Sequence, residues 1–328
     1  MQFNDEQLRV AANLASQYDA WLSAERDTRA LAYRLYWKTS KGHEYLVKLV
    51  DSKNNGHSLG PRSPETEAIL AEHSARKEAA LQRHAATSAT LATTCRLYRA
   101  LRMPAISSPA AAILREADTS NLLGTALMVI GTNAIAAYAI EFGVTFDTGL
   151  QATEDFDLAW SGGPATLAAV GPAPLLSMLK AVDPTYTRSE ERPSQARNAK
   201  AYEIDILIAP SLAGSFPRTE PLRPTALQEQ EWLLAGTRIS HVVCALDGTA
   251  ARIVAPDPRY FALQKLWLSR KSNRNPLKRG KDEKQGNAIL DALVASPAFP
   301  LGGDFSKQLP EELAERLERW RGTPRSAS

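Results

Sequence analysis

Hydrophobic and polar positions follow two different periods in the first third of the chain. Apolar residues at helical spacing predict an amphipathic helix from about Asp5 to Glu25. Two shorter runs, at residues 30–37 and 44–50, are typical of strands, and Gly42 between them favours a hairpin. A loop begins near residue 54. Ser63 followed by Pro64 then indicates a helix start, so we expect one helix to about residue 86 and a second to about residue 102.

The central third alternates between predicted helices and strands. We expect a helix at about residues 110–123, a strand that ends at Ile130 and a helix from about Thr132 to Phe142. The next predicted strand carries Asp155 and Asp157, a helix follows near residues 173–182, and a strand around Asp205 closes the region. The charged stretch at residues 188–200 is interpreted as a loop.

The last third predicts strands near residues 238–245 and 250–254, joined at Asp247 and Gly248 in a hairpin-like turn. Helices are expected at about residues 258–271, 282–295 and 310–321. Proline clusters before residue 109 and after residue 209 divide the chain. We therefore predict an α+β protein in three regions: a helix, β-hairpin and long-helix region at 1–108, a core at 109–212, and a strand-plus-helix region at 213–328.

The composition is that of a soluble globular protein, with 44% hydrophobic and 23% charged residues among 328. The net charge of +3 leaves room only for a local basic patch. Two distant cysteines, Cys95 and Cys244, lack metal-ligand spacing and suit a reducing compartment. Neither a signal peptide nor a membrane span is evident, so the expected compartment is the cytoplasm, with no membrane partner.

Three carboxylates stand in apolar surroundings in the central region. Asp155 and Asp157 are two residues apart, and in a strand such residues point to the same face. Asp205 lies in a run of Ile and Leu, where an unpaired charge costs several kcal/mol. A divalent cation such as Mg²⁺ would compensate these charges, because it takes oxygen ligands from carboxylates and phosphates. Each motif alone can arise by chance as a turn or a surface charge, so the prediction depends on their combination.

The order of these motifs resembles the nucleotidyltransferase superfamily with the polymerase-β-like fold. The residues that carry the resemblance are Gly131-Thr132-Asn133 after an apolar strand, the Asp155-Phe-Asp157 pair, and Asp205 in a later strand. Thr132 replaces the more usual serine and keeps the hydroxyl. The wider sequence pattern, with residues 58–66 upstream and residues 281–282 downstream, is similar to that of a bacterial nucleotidyltransferase-fold family.

The resemblance implies a mixed sheet with helices on one side as the catalytic core at 109–212. It implies an EC 2.7.7-type transferase that moves a nucleoside monophosphate from an NTP such as ATP to an acceptor, with release of pyrophosphate. An RNA or protein hydroxyl is the favoured acceptor, and a toxin–antitoxin or phage-defence role is one context for such proteins. Asp155, Asp157 and Asp205 would be catalytic and would bind two Mg²⁺ ions, which Mn²⁺ could replace. Gly131, Thr132 and Asn133 would bind the nucleotide.

Basic residues supply further candidates for nucleotide binding. The stretch from Lys265 to Lys284 holds eight Lys and Arg residues against two acidic ones, and we select Lys265 and Lys281 as triphosphate ligands. A solvated helix end, or contact with a nucleic-acid acceptor, explains the same excess of charge. Arg62, in a loop stiffened by prolines, is a further candidate for a phosphate contact, against the alternative that it only borders a turn.

Two other classes of function compete with the transferase. A binding module could keep the fold and bind a nucleotide or RNA without turnover, although the presence of all three carboxylates argues against this. An Asp-nucleophile phosphatase also uses two Asp residues at this spacing. It needs Thr or Val two residues after the second Asp, whereas Leu158 and Ala159 follow here. The sequence leaves the acceptor, the preferred NTP and the oligomeric state open.

Overall fold

The computed structural model describes residues 1–49, 56–151, 155–163, 166 and 174–323. The strands form three sheets, and helices lie near both ends of the described chain. The predicted α+β class is therefore confirmed. The helices are α1, Asp5–Ala30; α2, Pro64–Ala100; α3, Ser108–Thr119; α4, Ile135–Phe142; α5, Thr148–Gln151; α6, Pro174–Val182; α7, Gln230–Leu234; α8, Pro258–Arg270; α9, Pro276–Val294; α10, Asp304–Gln308; and α11, Glu311–Gly322.

The strands fall into three groups along the chain. They are β1, Arg34–Ser40; β2, His43–Leu49; β3, Gly56–Pro61; β4, Ala105–Ile106; β5, Leu127–Val129; β6, Asp155–Trp160; β7, Thr187–Arg188; β8, Gln195–Arg197; β9, Glu203–Ile208; β10, Thr225–Ala226; β11, Ile239–Ala245; and β12, Ala250–Ala255. By contacts the chain divides into two compact units, one of residues 13–94 and one of residues 1–12 and 95–328. The predicted boundaries after residues 108 and 212 stay predictions.

The smaller unit contains an antiparallel sheet in the order β1-β2-β3. The hairpin of β1 and β2 agrees with the prediction, but β3 occupies part of the region predicted as a loop. The two helices predicted between residues 63 and 102 are one helix of 37 residues. No Gly or Pro interrupts α2 after Pro64, and the hydroxyls of Thr87, Thr90 and Thr93 each donate to the carbonyl four residues earlier, so the helix continues.

The sheet that carries the predicted site lies in the larger unit and has the order β5-β6-β9-β8-β7, with β10 beside β9. Strands β6 and β9 are parallel, whereas β5 is antiparallel to β6 and β8 is antiparallel to β9. Strand β8 and the last residue of β7 lie within the stretch predicted as a loop at residues 188–200. That prediction was wrong because their two- and three-residue lengths are too short for a period to show.

The sheet that carries the predicted site is called the central sheet below, and a third sheet packs behind it. Its strands β11 and β12 form the predicted hairpin, and β4 pairs with β11 in parallel. Helix α3 packs on β12 and helix α4 packs on β11, so apolar side chains such as Ile113, Tyr138 and Ile253 are fully buried between the layers. The core thus fixes the strand and turn that precede α4, where the predicted nucleotide-binding residues lie.

Helices α8 and α9 form the wall opposite the central sheet. Helix α9 begins at Pro276, six residues before the predicted start, because the side chain of Asn275 accepts from Leu277 N and caps the helix. The two helices approach closely at Gly286, where an added Cβ would lie 2.8 Å from the carbonyl oxygen of Ala262. Within the described residues, no helix is both long and apolar enough to cross a membrane.

Candidate active site

Two parallel strands align four carboxylates on one face of the central sheet. Asp157 of β6 lies directly beside Asp205 of β9, and Asp155 lies beside Glu203. All four residues line one cavity of about 330 Å³. Neighbouring strands lie about 4.8 Å apart, so the sheet itself brings these negative charges together. The structure therefore places the three predicted carboxylates at one site.

The glycine turn lies against Asp157. Gly131 has a φ of +70°, and a Cβ added to it would lie 2.3 Å from Asp157 Oδ2. Ile130 N donates to the backbone oxygen of Asp157 over 3.1 Å, which ties the turn to β6. Only glycine combines this backbone conformation with this close approach. The predicted helix from Thr132 instead begins as a 3₁₀ turn at Gly131–Ala134, before α4.

Thr132 and Asn133 are held by residues on either side of the turn. Asn133 is buried, and its Nδ2 donates to the backbone oxygen of Asp155 over 3.2 Å. Thr132 Oγ1 accepts from Nε2 of the buried Gln285 on α9 over 3.2 Å. The three residues predicted to bind the nucleotide therefore lie next to the carboxylates, and their role in binding stays a prediction.

Burial raises the pKa of Asp157 to about 6. Lys265 opposes this shift, whereas the negative charges of Asp205 and Asp155 add to it. Asp205 Oδ2 accepts from Gln195 Nε2 over 3.3 Å, but the buried Oδ1 of Asp205 has no hydrogen-bond partner among the described residues. An unpartnered buried oxygen is unfavourable, so this site is incomplete without a further cation or proton.

The cations of the site are held by α8 and α9. Lys265 is buried, and its Nζ lies 2.9 Å from Asp282 Oδ1, while Arg274 Nε lies 2.8 Å from the other oxygen of Asp282. Lys278 Nζ lies 2.9 Å from Asp155 Oδ2, with both side chains about half exposed. Lys265 therefore lines the cavity as an already paired charge, and its predicted role as a triphosphate ligand stays a prediction.

The remaining predicted cations have different surroundings. Burial lowers the pKa of Lys281, and the positive charge of Lys265 lowers it further, so Lys281 lies within reach of the same group of charges. Arg62 belongs to the smaller unit, where it forms ion pairs of 2.7 Å with both Glu44 and Glu67. The assignment of Arg62 and Lys281 to nucleotide binding stays a prediction.

Several residues of the site were missed by sequence reasoning. Glu203 stands two residues before Asp205, the same spacing as Asp155 and Asp157, and that spacing could have identified it. Gln195 and Gln285 gave no such signal, because their positions depend on a short strand and on helix packing. Lys278 and Arg192 also line the cavity and add positive charge beside the carboxylates.

The donor set fits a hard divalent cation in its chemistry. Among the residues that the structure describes, no three His, Cys, Asp or Glu side chains are already arranged as a metal site. Asp155 is instead turned to Lys278, and Asp205 offers the unpartnered oxygen described above. Carboxylate oxygens of this kind are the ligands of Mg²⁺. The role of the three aspartates as metal ligands stays a prediction.

The chain thus combines an α+β fold with a cavity lined by carboxylates and cations beside a strand–glycine–turn motif. A family model described as Nucleotidyltransferase matches residues 108–309, which is more than half of the chain. The chain belongs to this nucleotidyltransferase family, so the resemblance drawn from the sequence is confirmed. Comparisons with curated proteins and with solved structures find no match. Family membership supports a nucleotidyl-transfer function and places the protein among the transferases.

Proposed function

We propose that this protein transfers a nucleoside monophosphate from an NTP to an acceptor hydroxyl on RNA or protein, in a metal-dependent reaction that releases pyrophosphate. The observation that carries the proposal is the alignment of Asp157 with Asp205 on adjacent parallel strands, next to the turn at Gly131. We include a polymerase-β-like core in the proposal. The mixed sheet, with β5 antiparallel to β6 and β6 parallel to β9, supports it.

Asp155, Asp157 and Asp205 would hold the metal, with two Mg²⁺ ions as the expected occupants and Mn²⁺ as a substitute. The bound metal supplies positive charge that neutralises the triphosphate and the developing charge on the leaving group. Two observations support this assignment: the unpartnered Oδ1 of Asp205 and the pKa of about 6 at Asp157, each of which a neighbouring cation relieves. Lys278 would leave Asp155 when the metal binds.

The residues of the turn would bind and orient the triphosphate. Gly131 lets the backbone approach a phosphate oxygen, and the Thr132 hydroxyl, positioned by Gln285, would donate to another. The acceptor oxygen forms a bond to the α-phosphorus while the bond from that phosphorus to the bridging oxygen breaks, and pyrophosphate leaves. Asp205 would also help to deprotonate the acceptor hydroxyl. Positioning and charge stabilisation would supply most of the rate enhancement.

The test is incubation of the purified protein with each radiolabelled NTP, Mg²⁺ and either total RNA or lysate, with pyrophosphate release measured in parallel. We expect pyrophosphate release and label on one class of acceptor, both lost in Asp157→Asn. Asp304→Asn is the control, because Asp304 is 87% exposed and pairs with Lys307 at the surface. Transfer that survives in Asp157→Asn would refute the proposal.

The ion pair between Lys278 and Asp155 favours one alternative, a module that binds a nucleotide or RNA without turnover. In that case the lysine keeps the place that the metal would take. Calorimetry with NTP and Mg²⁺ would then show binding while no pyrophosphate is released from any NTP. A toxin–antitoxin or phage-defence role is part of the proposal only as a context, and the genes adjacent to this one test it.

A further inference from the structure

The cavity has a second end that the proposed transfer chemistry does not use. On β9, Asp205 and Leu207 both line the cavity. These residues are two apart, so the apolar surface at Leu207 lies about 7 Å along the strand from the carboxylates. Leu227 N donates to the backbone oxygen of Ile208 over 3.1 Å, which places Leu227 beside the end of β9. Leu233 of α7 and Leu268 of α8 complete this apolar end.

Two buried glutamines project among these leucines. Gln230 and Leu233 are three residues apart on α7, and Gln264 and Leu268 are four apart on α8, so each pair shares a helix face. The rings of Trp232 and Trp267 meet edge to face at 5.1 Å and fix the two helices to each other. The glutamines are 4% and 3% exposed, yet both line the cavity.

The buried polar atom that lacks a partner at this end is a hydrogen-bond acceptor. Oε1 of Gln230 is buried and has no partner in the part of the chain that the structure describes. Gln264 Nε2 donates to the backbone oxygen of Glu229 over 3.1 Å, which fixes its amide orientation and leaves its oxygen as the remaining polar atom. The Glu229 carboxylate also lines this end, where it pairs with Lys271. A ligand that fits here must therefore bring donors.

We propose that this end of the cavity is the nucleobase subsite and that it selects adenine over a purine with a carbonyl in place of the exocyclic amine. The inference rests on the proposed function, because it places the triphosphate at the carboxylates and the base one step farther along β9. The leucines cover the faces of the ring. Gln230 Oε1 accepts from the amine, and its Nε2 donates to N7, as amides do with adenine.

A purine with a carbonyl meets the wrong atoms at the same place. Hypoxanthine, the base of inosine, presents two acceptors there, its oxygen and N7, so one of them faces Gln230 Oε1 whichever way the amide is turned, and two acceptors are buried against each other without a proton between them. Among the described residues, the opposite end of the cavity carries Asp155, Glu203 and Lys278, which are charged and partly exposed. The chemistry of the two ends thus orients the nucleotide as well as selecting it.

The experiment compares nucleotides that differ only in this group. Titration calorimetry with Mg²⁺ measures the affinity of the full chain for ATP against inosine triphosphate. We expect ATP to bind about tenfold more tightly. In Gln230→Leu that ratio should fall to about one. Gln228→Leu, a change at an exposed glutamine two residues away, should keep the ratio.

The outcomes separate this inference from the proposed function. Equal affinities for ATP and inosine triphosphate, or tighter binding of inosine triphosphate, together with pyrophosphate release, would overturn the base selection and leave the transfer reaction standing. Retention of the ratio in Gln230→Leu would overturn the role of Gln230. Failure of every nucleotide to bind would overturn both proposals. The comparison of nucleotides on the unaltered protein decides the question even where Gln230→Leu fails to fold.

Discussion

Asp157 holds the most unfavourable charge of the site, and its cost changes with pH. Its folded pKa of about 6 lies above the ordinary value of 3.8, so between these values the folded state binds more protons than the unfolded state. The free energy of unfolding therefore falls as pH rises from about 4 to about 6, and the full cost is present above pH 6. This cost is on the order of 3 kcal/mol without metal.

Asp157→Asn should accordingly stabilise the metal-free protein at pH 8 and have little effect at pH 4, because the asparagine removes a charge that burial disfavours. Thermal melts in a chelator at the two pH values measure the difference. Added Mg²⁺ should raise the melting temperature of the unaltered protein and not that of the variant. The exposed Asp304→Asn should change neither. An equal effect of Asp157→Asn at both pH values would show that its charge is not the cause.

Gly131 is the second residue whose chemistry the site requires. Gly131→Ala should lower stability by about 2 kcal/mol or displace Asp157, because the new methyl group would enter the position of Asp157 Oδ2 on a backbone with positive φ. Thermal melts and calorimetric Mg²⁺ affinity check this. Gly163→Ala is the matched control, since no heavy atom lies within 4 Å of its added Cβ. Unchanged metal affinity and stability in Gly131→Ala would refute the close approach.

At the level of elements, the pairing of α8 with α9 decides how the site is charged. Lys265 of α8 is buried against Asp282 of α9, and it also lowers the pKa of Asp157. One lysine thus stabilises both the helix pair and the ionised carboxylate. A lysine that served only as a phosphate ligand would be expected at the surface of the cavity, without a partner.

Lys265→Met should therefore destabilise the fold by about 3 kcal/mol, because Asp282 loses a buried partner and keeps only Arg274. It should also move the pKa of Asp157 above about 6, so that Mg²⁺ binding begins at a higher pH. Calorimetry across pH 5–9 and denaturant unfolding measure the two effects. Lys307→Met removes an exposed pair with Asp304 and should change neither quantity. A variant of normal stability that binds NTP less tightly would restore the simpler role of a phosphate ligand.

The same elements show what the sequence can predict. Asp155 and Asp157 could be placed on one face because strand periodicity is a local property, and Gly131 marks its own turn, whereas Asp205 joined them only through the resemblance to nucleotidyltransferases. The pairing of Lys265 with Asp282 could not be predicted, because it depends on how α8 packs against α9. The start of α9 was predicted six residues late because the Asn275-Pro276 cap was missed, so Lys278 was assigned to a loop rather than to the first turn of a helix that faces Asp155.

At the scale of the whole molecule, the last helix lies outside the region that the family model matches. Helix α11 packs on α8, and its Leu313, Leu317 and Trp320 are buried. Helix α8 carries Gln264 and Lys265, which line the cavity. The residues after 309 therefore support the wall of the site from behind, although they contribute no side chain to it among the residues described.

Leu317→Ala should cost about 2–5 kcal/mol, the usual range for a leucine truncated in a packed core. Leu277→Ala makes the same chemical change at a side chain that is 88% exposed, and it should cost less than about 0.5 kcal/mol. Denaturant unfolding measures both. Helix α11 acts on the site through α8. Saturating ATP and Mg²⁺ should recover part of the stability that Leu317→Ala loses, because any ligand of the folded state stabilises it. Equal stabilities of the two variants would show that α11 is dispensable and that the matched region alone holds the site.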